Sequence, residues 1–322
     1  MFRKTVHKIF AWIMAGVFSF LVFPIFFVIS FVAVNIDNWL LKEKKSIEGE
    51  VAVITGSAGG LGKCIAKELA AKGCNVAICD INYELAVSTA QEIADKYGVK
   101  AKAYKVDVTK YQEIVELNEK LTKDIGAATI LVNNAGLLLH SDQLNPSLEE
   151  IDLMVKVNYT SHFWTNRVFM ENMKKVRKGH IMAISSIAGL VTLPQSEPYC
   201  STKTAVRTLM RVLRADLKLQ EINYIGLTTV FPSFLQTHGL VKQLATESGY
   251  ADLYPLMAGE EVAKRAVNGM LRDEVEIAIP GFFALSYRLL TLLPAKAQDW
   301  VTYAPISRMN GVKKAFESIK RK

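Results

Sequence analysis

The chain has 322 residues, half of them hydrophobic, and a formal net charge of +8. This length accommodates one large α/β domain with appendages, and the positive mean hydropathy of +0.18 indicates a localised apolar segment. The basic residues are spread along the chain and concentrate beside the N-terminal apolar run and at the C-terminus, which argues against a nucleic-acid partner and favours anionic lipid headgroups.

The first predicted element is an apolar N-terminal segment. The run from Ile9 to Val34 carries no charge and exceeds the ~20 residues needed to cross ~30 Å of hydrocarbon. Because it is too long for the apolar region of a cleaved signal peptide, the sequence predicts an uncleaved membrane anchor within residues 1–46. Basic residues flank both ends and leave the orientation open. Pro24, near the middle, leaves a straight transmembrane helix and a hairpin in one leaflet as alternatives.

From Glu50 onward, short apolar runs alternate with amphipathic helical stretches. This pattern is typical of an α/β protein in which helices cover both faces of a parallel sheet. The sequence therefore predicts a single doubly wound, Rossmann-type sheet over residues 47–280. Its seven predicted strands are Val51 to Thr55, Asn75 to Cys79, Lys102 to Val106, Ile130 to Asn133, His180 to Ser185, Tyr224 to Phe231 and Val275 to Ile279.

Two later segments lack a strand pattern. Ser233 to Ala258 has no strong periodicity and is interpreted as a loop that covers the substrate. After Pro280, a run of about 14 mostly apolar residues is too short to span a bilayer. It could lie in a membrane surface, roof an apolar pocket, or pack as a helix on the domain. Residues 281–322 are thus assigned to a C-terminal amphipathic segment and basic tail.

Cysteine and histidine spacing gives no indication of a metal site. The four cysteines lie in or near predicted helices and strands and are interpreted as reduced packing residues, which favours a cytosolic catalytic domain. The five histidines show no paired ligand spacing, so each is interpreted as a polar residue with its hydrogen bonds satisfied.

A glycine-rich turn, TGSAGGLG from Thr55 to Gly62, follows the first strand and precedes a helix. Glycines let the backbone approach a pyrophosphate, whose charge the helix N-terminus can meet. The second strand ends at Asp80, 18 residues past Gly62 and near the ~20-residue offset at which an acidic side chain binds the adenosine ribose. Since Ser57 to Leu61 contains no Lys or Arg, a 2′-phosphate would be repelled and NAD is favoured over NADP.

Tyr199 and Lys203 are four residues apart in a predicted helix and therefore share one face. A free tyrosine has a pKa near ~10, and a neighbouring cation lowers that pKa by favouring the phenolate. The spacing predicts Tyr199 as a proton-transfer residue. Ser186, at the end of the fifth strand, can hold the substrate oxygen by a hydrogen bond, with Ser185 as the less favoured alternative.

Together these motifs resemble the short-chain dehydrogenase/reductase family over about Glu50 to Pro280. The resemblance implies a catalytic tetrad of Asn158, Ser186, Tyr199 and Lys203, in which Asn158 supports a water-linked proton relay through Lys203. With the glycine turn, it implies the following cofactor-binding residues: Gly56, Ser57, Gly60, Leu61, Gly62, Asp80, Asp107, Val108, Asn134, Ala135, Gly136, Tyr199, Lys203, Pro232 and Thr237. Ser233 stands where the family frequently has a glycine in its nicotinamide-binding segment.

Within the family, four features are similar to the membrane and lipid-droplet branch of epidermal-type retinol dehydrogenases and 17-beta-hydroxysteroid dehydrogenases. They are the apolar N-terminus, Cys79 to Asn82, His162 to Thr165 and Tyr199 to Ser201. The resemblance implies a lipophilic substrate such as a retinoid, steroid or long-chain alcohol, and a location at the endoplasmic reticulum membrane or lipid droplet. In many members, the helices corresponding to those of Trp164 and Tyr199 form a homodimer interface.

The sequence therefore predicts hydride transfer between NAD(H) and a lipid alcohol, without a metal. The alternatives are an NADPH-dependent carbonyl reductase and a cofactor-binding scaffold with little turnover.

Overall fold

The computed structural model describes residues 2–22, 24–29, 32, 43–138, 146–194, 196–236, 239, 242, 245–246 and 250–306. The chain divides into two compact units, Met1–Lys45 and Ser46–Lys322.

The N-terminal unit contains helix over most of its described residues. Helix α1 (Phe2–Val17) continues as a π-helical turn, Phe18–Val22, and residues 24–29 are helical again. Large apolar side chains are exposed along it, including Trp12 at 80% and Phe26 at 67%. Within the part of the chain that the structure describes, no helix has both the length and the apolar character required to cross a membrane.

The second unit is built on seven parallel strands. They are β1 (Val51–Thr55), β2 (Asn75–Asp80), β3 (Ala101–Lys105), β4 (Ile130–Asn133), β5 (Gly179–Ile184), β6 (Ile225–Pro232) and β7 (Glu276–Ile279). Their order in the sheet is β3-β2-β1-β4-β5-β6-β7. The predicted doubly wound parallel sheet is confirmed, and each strand end lies within one residue of its predicted position.

Helices connect the strands and cover both faces of the sheet. They are α2 (Gly60–Ala70), α3 (Tyr83–Tyr97), α4 (Tyr111–Asp124), α5 (Leu148–Val155), α6 (Ser161–Val176), α7 (Glu197–Leu219), α8 (Tyr250–Leu253), α9 (Gly259–Met270), α10 (Phe282–Leu290) and α11 (Ala295–Ile306). Helices α2, α3 and α9 bury their apolar stripes against one face of the sheet, and α4, α6 and α7 bury theirs against the other. Phe169 on α6 is fully buried and is a core residue.

Local sequence sets the helix boundaries. Helix α3 begins after Asn82, whose side chain accepts a hydrogen bond from the backbone N–H of Leu85 at 3.1 Å, and ends at Gly98 with φ +68°. Both are preferred capping arrangements, because they satisfy backbone groups that have no partner inside the helix. The two caps define where α3 begins and ends, and its N-terminus therefore lies just after Asp80 at the end of β2.

The carboxyl ends of β1 and β4 meet where the strand order reverses. In sheets of this type, the crevice outside these strand ends is where ligands bind. The glycine turn follows β1, Asn134 follows β4 and Ser186 follows β5, so the topology brings the predicted site residues to one edge of the sheet.

The described parts of the segments after β6 and β7 contain regular structure. Residues 233–258 include helix α8 and a parallel bridge between Leu235 and Met257. After β7, helix α10 buries Phe283 at 7% exposure, while Phe282 and Leu289 remain 54% and 56% exposed. The segment therefore packs on the domain through one side and presents apolar side chains on the other.

Candidate active site

The glycine turn after β1 is pressed against the end of β4. Gly56 has φ +62°, and a Cβ there would lie 2.8 Å from Ala135 Cα. A Cβ on Gly62 would lie 2.5 Å from Asn134 Nδ2. Neither position can hold a side chain without moving its neighbours, so these glycines are required by the packing of the turn.

Asn134 ties β4 to this turn. Its side-chain amide donates hydrogen bonds to the carbonyls of Thr55 at 2.9 Å and Gly56 at 2.8 Å. The hydroxyl of Thr55 accepts from the backbone N–H groups of Asn134 at 3.1 Å and Ala135 at 3.0 Å. The structure thus places Asn134 and Ala135 in the support of the glycine turn.

The backbone is open at Gly60 and at the start of α2. Gly60 has φ +56°, and a Cβ built there meets nothing within 4 Å. Helix α2 begins with Gly59 as its N-cap and no side chain makes a capping hydrogen bond there. The first N–H groups of a helix carry partial positive charge, so Gly60, Leu61 and Gly62 suit a diphosphate.

Ser57 and Asp80 join β2 to the turn. The Ser57 hydroxyl donates to Ile54 O at 2.7 Å and accepts from Cys79 N at 3.0 Å, so it supports the strands. The Asp80 carboxylate accepts from the N–H groups of Ala58 and Asn82, both at 3.0 Å. A carboxylate has further lone pairs to accept ribose hydroxyls, so Asp80 fits an adenosine-binding role.

Asp107, Val108 and Pro232, which are also expected cofactor residues, lie at or just after strand ends on the same edge of the sheet. The Asp107 carboxylate already accepts hydrogen bonds from the N–H and hydroxyl of Thr109, at 2.9 and 2.7 Å, and Val108 is buried. Pro232 ends β6, and Thr237 lies outside the described residues. The Ser233 hydroxyl is buried at 5% exposure without a hydrogen-bond partner among the described residues. A polar ligand could provide that partner, so the residues present fit a dinucleotide.

Tyr199, Lys203 and Ser186 come together as the spacing predicts. Tyr199 and Lys203 lie one turn apart on α7, and the Lys203 ammonium is 5.6 Å from the Tyr199 ring centroid. Lys203 is 4% exposed and donates to the carbonyl of Ile184 at 3.1 Å. Burial lowers the pKa of Lys203 to about 8.

The pKa of Tyr199 is raised, whereas the proximity of Lys203 predicts that it is lowered. Burial raises the pKa of Tyr199 to about 12, while its hydrogen bond with Ser186 acts in the opposite direction. The prediction that Lys203 lowers this pKa is wrong for the protein alone, because burial dominates and the ammonium bonds to a backbone carbonyl. The phenol is therefore protonated at neutral pH.

The two serines after β5 have different surroundings. The Ser185 hydroxyl donates to the backbone carbonyl of Lys203 at 2.8 Å and is fully committed to holding α7. The Ser186 hydroxyl accepts from Ala188 N at 3.2 Å and interacts with Tyr199. A hydrogen bond that lowers the pKa of Tyr199 is one that Ser186 donates to the phenol oxygen, so the two hydroxyls lie together and the geometry favours Ser186 for substrate contact.

Asn158 lies in a π-helical turn, Lys156–Thr160, where a regular helix was expected. Its carboxamide accepts from Leu137 N at 2.7 Å and donates to Leu137 O at 2.9 Å. It also donates to Thr202 Oγ1 at 3.3 Å, beside Lys203. Single π turns recur at functional sites because they reorient a side chain within a helix. Here the turn directs Asn158 to the loop after β4.

His162 was not singled out from the sequence. The structure places it in the first turn of α6 at 1% exposure, and its Nδ1 has no hydrogen-bond partner among the described residues. Burial, and next the charge of Lys203, lower its pKa to about 3. The described residues therefore provide no hydrogen-bond partner for one ring nitrogen of this histidine, which its position in the sequence does not reveal.

An apolar wall adjoins Tyr199. Its buried members are Ala188, Leu193 and Tyr250, and the partly buried residues packed against them are Val191, Tyr199, Cys200, Phe234 and Tyr254. Phe283 of α10 stacks on Tyr254 with ring centroids 5.5 Å apart. This wall is formed by the segments after β5 and β6, by α7 and by α10, and its aromatic side chains suit an apolar ligand.

Comparisons with known proteins agree with this geometry. The family model for short chain dehydrogenase matches residues 50–248. The chain is 32% identical over 241 residues to bovine short-chain dehydrogenase/reductase family 16C member 6, covering 75% of each chain. It is 31% identical over 278 residues to human 17-beta-hydroxysteroid dehydrogenase 13, covering 86% of this chain and 88% of the relative.

A solved structure is similar as well. The NADPH-dependent 3-quinuclidinone reductase from Rhodotorula rubra superposes with a TM-score of 0.63 at 26% identity, covering 74% of this chain and 93% of that one. The similarity to known proteins thus extends from sequence to three-dimensional structure.

Proposed function

The chain belongs to the short-chain dehydrogenase family and is an NAD(P)-dependent alcohol dehydrogenase or ketoreductase, and from this premise we propose that it interconverts a lipophilic alcohol and its carbonyl compound with NAD. The observation that carries this proposal is the convergence of Tyr199, Lys203, Ser186 and Asn158 beside the open start of α2. The nicotinamide, when bound, accepts or supplies the hydride.

In this proposal Tyr199 exchanges the proton of the substrate oxygen, and Ser186 holds that oxygen by donating a hydrogen bond. Because burial raises the pKa of Tyr199 to about 12, the phenol is set up to give a proton, as carbonyl reduction requires. Oxidation requires the phenolate, which any added positive charge near Tyr199 favours. Because burial lowers the pKa of Lys203 to about 8, its ammonium can release a proton and then receive the one that Tyr199 takes up.

The choice of NAD rests on Asp80. Its carboxylate lies at the end of β2, fixed by the N–H groups of Ala58 and Asn82. A 2′-phosphate beside it would experience like-charge repulsion, and the turn from Ser57 to Leu61 offers no cation to offset that repulsion. The NADPH dependence named for the Rhodotorula reductase keeps NADP as the competing cofactor.

A lipophilic substrate class is supported by the apolar wall beside Tyr199 and by the relative named as a hydroxysteroid dehydrogenase. Retinoids, steroids and long-chain alcohols all present a hydroxyl on a large apolar body. Burying that body against aromatic side chains contributes about 25 cal/mol per Å². The substrate hydroxyl then needs hydrogen-bond partners, and Ser186 and Tyr199 provide them.

We further propose that residues 1–46 hold the enzyme at a membrane surface, either the endoplasmic reticulum or a lipid droplet, with the catalytic unit in the cytosol. Support comes from the uncharged run Ile9 to Val34 and from its exposed side chains, such as Trp12 and Phe26. Lipid alcohols partition into membranes, so this location places the enzyme beside its substrate.

The test is turnover by the full chain in membranes, with NAD⁺ or NADP⁺ and a panel of retinoids, steroids and long-chain alcohols. We expect NADH from at least one alcohol, and a fall in kcat of about 10²- to 10⁴-fold for Tyr199→Phe. Tyr224→Phe is the matched control, because Tyr224 is half-buried at the opposite, amino end of β6, where its ring contacts Arg177. Turnover that Tyr199→Phe leaves unchanged, or cofactor binding without any turnover, would instead indicate a cofactor-binding scaffold with little activity.

A further inference from the structure

Helix α10 is held on the domain through its inner side. The Phe283 ring is buried and stacks on Tyr254 with ring centroids 5.5 Å apart. One turn further along, the Tyr287 ring lies 4.6 Å from the Arg207 guanidinium, which donates two hydrogen bonds to Glu276 at 2.9 and 2.8 Å. The inner side of α10 is therefore fully used, and its outer side needs a separate explanation.

The outer side of α10 is apolar as well. Phe282, Leu285 and Leu289 follow one another at intervals of three and four residues, so they lie along one side of the helix. A short stretch rich in exposed apolar side chains marks an interaction surface, whereas single exposed ones do not. We call the following eight side chains, each at least 40% exposed, the C-terminal apolar surface: Phe282, Leu285, Leu289, Leu292, Leu293, Trp300, Val301 and Tyr303.

A series of ring contacts connects this surface with the wall beside Tyr199. Phe282 lies against Phe283 with ring centroids 4.2 Å apart, and Phe283 stacks on Tyr254. Tyr254 contacts Tyr250 at 6.1 Å, and both belong to the wall that includes Tyr199. The C-terminal apolar surface is therefore continuous with the wall proposed to take the apolar body of the substrate.

The sequence around this surface favours lipid as its partner. Helices α10 and α11 have 9 and 12 residues, too few to span a bilayer but suited to lying in its surface. Trp300 and Tyr303 are of the residue types enriched at membrane–water boundaries. Residues 307–322, directly after α11, contain six Lys or Arg and one Glu, which attracts anionic headgroups. A second copy of the chain would bring two such basic segments together, and their like charges repel.

We propose that the C-terminal apolar surface lies on a phospholipid surface with anionic headgroups, and that the substrate alcohol passes from the lipid to Tyr199 along the series of rings. The passage rests on the proposed function, whereas the lipid contact does not. A surface contact of this size is weak by itself, so the N-terminal unit provides the attachment and the C-terminal apolar surface turns the active site toward the lipid. The alcohol then reaches Tyr199 without exposing its apolar body to water.

The first experiment measures the contact between Trp300 and lipid. The chain has four tryptophans, and replacing three of them by Phe leaves a single fluorophore in the full-length protein. Vesicles of phosphatidylcholine and phosphatidylserine with brominated acyl chains quench a tryptophan that enters the bilayer, because bromine acts at short range. We expect Trp300 to lose most of its fluorescence, as Trp12 of the N-terminal unit should when it is the single tryptophan.

Trp164 is the control for Trp300, because it packs against Tyr111 and a core that does not include α10. As the single tryptophan, Trp164 should not be quenched. Leu285→Gln with Leu289→Gln should remove most of the quenching of Trp300 and leave that of Trp12. A Trp300 that brominated lipid does not quench overturns the proposal. If aqueous acrylamide does not quench it either, protein covers this surface instead of lipid.

The second experiment compares turnover of one alcohol dissolved in vesicles with turnover of the same alcohol delivered in water as a cyclodextrin complex. For Leu285→Gln with Leu289→Gln we expect the KM from vesicles to rise about tenfold with kcat unchanged, since two apolar contacts with lipid are lost. Turnover of the cyclodextrin complex should remain native. Leu148→Gln with Leu219→Gln, at positions 81% and 84% exposed elsewhere in the second unit, is the matched control and should alter neither.

The outcomes separate this inference from the proposed function. An equal loss of turnover with both forms of delivery, or a native KM from vesicles in Leu285→Gln with Leu289→Gln, overturns the passage from lipid. If the full chain oxidises none of the alcohols, the proposed function fails, while the quenching of Trp300 still decides whether the lipid contact exists.

Discussion

At the scale of single residues, the site combines buried charge with open binding positions. Lys203 is 4% exposed, and the described residues provide it with a backbone carbonyl and no carboxylate within salt-bridge distance. Asp80 lies at the surface end of β2 with both oxygens held by backbone N–H groups. The buried ammonium costs stability, whereas the Asp80 carboxylate is the residue proposed to favour NAD over NADP.

Asp80→Asn should shift cofactor preference toward NADP. The substitution keeps an oxygen to accept from Ala58 N but removes the negative charge that repels a 2′-phosphate. We expect the ratio of the Kd values for NADP⁺ and NAD⁺ to fall by about tenfold, equivalent to ~1.4 kcal/mol. Titration by fluorescence measures both constants. Asp95→Asn, which removes an exposed charge from α3, should leave the ratio unchanged, and an unchanged ratio in Asp80→Asn would refute the role of Asp80.

Lys203→Met should make the protein more stable at neutral pH while removing turnover. Burial lowers the Lys203 pKa from 10.5 to about 8, which corresponds to roughly 3 kcal/mol of destabilisation while the ammonium is charged. The unfolded chain binds this proton more tightly, so the native protein gains stability as pH rises from about 8 to 10.5, and below pH 8 the cost is complete.

The measurement is the free energy of unfolding in urea across this pH range. The advantage of Lys203→Met over the native chain should be largest at pH 7 and shrink above pH 8. Lys218→Met, an exposed lysine on the same helix, provides the baseline. A difference in the free energy of unfolding between Lys203→Met and the native chain that does not depend on pH would show that the buried ammonium does not destabilise the native protein.

At the scale of elements, the glycine turn and the start of α2 form the proposed cofactor site. Gly60 and Gly49 both have positive φ, +56° and +73°, and a Cβ at either meets nothing within 4 Å. An alanine at each should therefore cost similar stability, about 1–2 kcal/mol, from backbone strain alone. The two glycines differ in location, since Gly60 lies at the open N-terminus of α2 and Gly49 precedes β1.

Gly60→Ala should weaken NAD⁺ binding strongly while Gly49→Ala leaves it unchanged. We expect a loss of at least about tenfold in affinity for Gly60→Ala, because its methyl group would occupy the space that the diphosphate needs. Isothermal titration with NAD⁺, together with urea unfolding of both variants, separates binding from strain. Equal binding by the two variants would place the diphosphate elsewhere.

Much of the sheet was predictable from sequence, because parallel strands buried on both faces are short continuous apolar runs. β1 and β4 are fully buried and were predicted with their observed ends. The N-terminal ends of helices were harder to predict, since α2 starts at Gly60, inside the glycine turn that was expected to precede the helix. A helix that begins inside a functional turn has no side-chain cap to mark it.

The sequence identified the residues of the candidate site but not the contacts that surround them. The spacing of Tyr199 and Lys203 defined one helix face, and the structure has both residues on α7. The π turn at Asn158, the commitment of Ser185 to Lys203 O and the unsatisfied His162 Nδ1 depend on contacts between distant segments. The raised pKa of Tyr199 likewise follows from burial, which a spacing of four residues does not reveal.

At the scale of the whole molecule, a catalytic unit and an apolar N-terminal unit are joined in one chain. The proposed role of the N-terminal unit is attachment to lipid. The double variant Ile13→Lys with Phe26→Lys should release the chain from liposomes, because these side chains are 57% and 67% exposed and each charge costs about 2.5–3.5 kcal/mol in a membrane.

Flotation of the full chain with liposomes measures this attachment. The native chain should rise with the lipid, and the bound fraction of the double variant should fall at least about tenfold. Leu148→Lys with Leu219→Lys, which alters two residues 81% and 84% exposed in the second unit, is the matched control. Flotation of the double variant at the native level would place the lipid contact outside the N-terminal unit.

The most direct measurement of the central claim follows the hydride itself. The full chain is incubated with NAD⁺ and the alcohol selected from the panel, labelled with deuterium at the carbinol carbon, and the reduced cofactor is analysed by mass spectrometry. Deuterium should appear on the nicotinamide with the native chain and with Tyr224→Phe, and fall to background with Tyr199→Phe. Equal labelling by Tyr199→Phe, or reduced cofactor without deuterium, would contradict hydride transfer assisted by Tyr199.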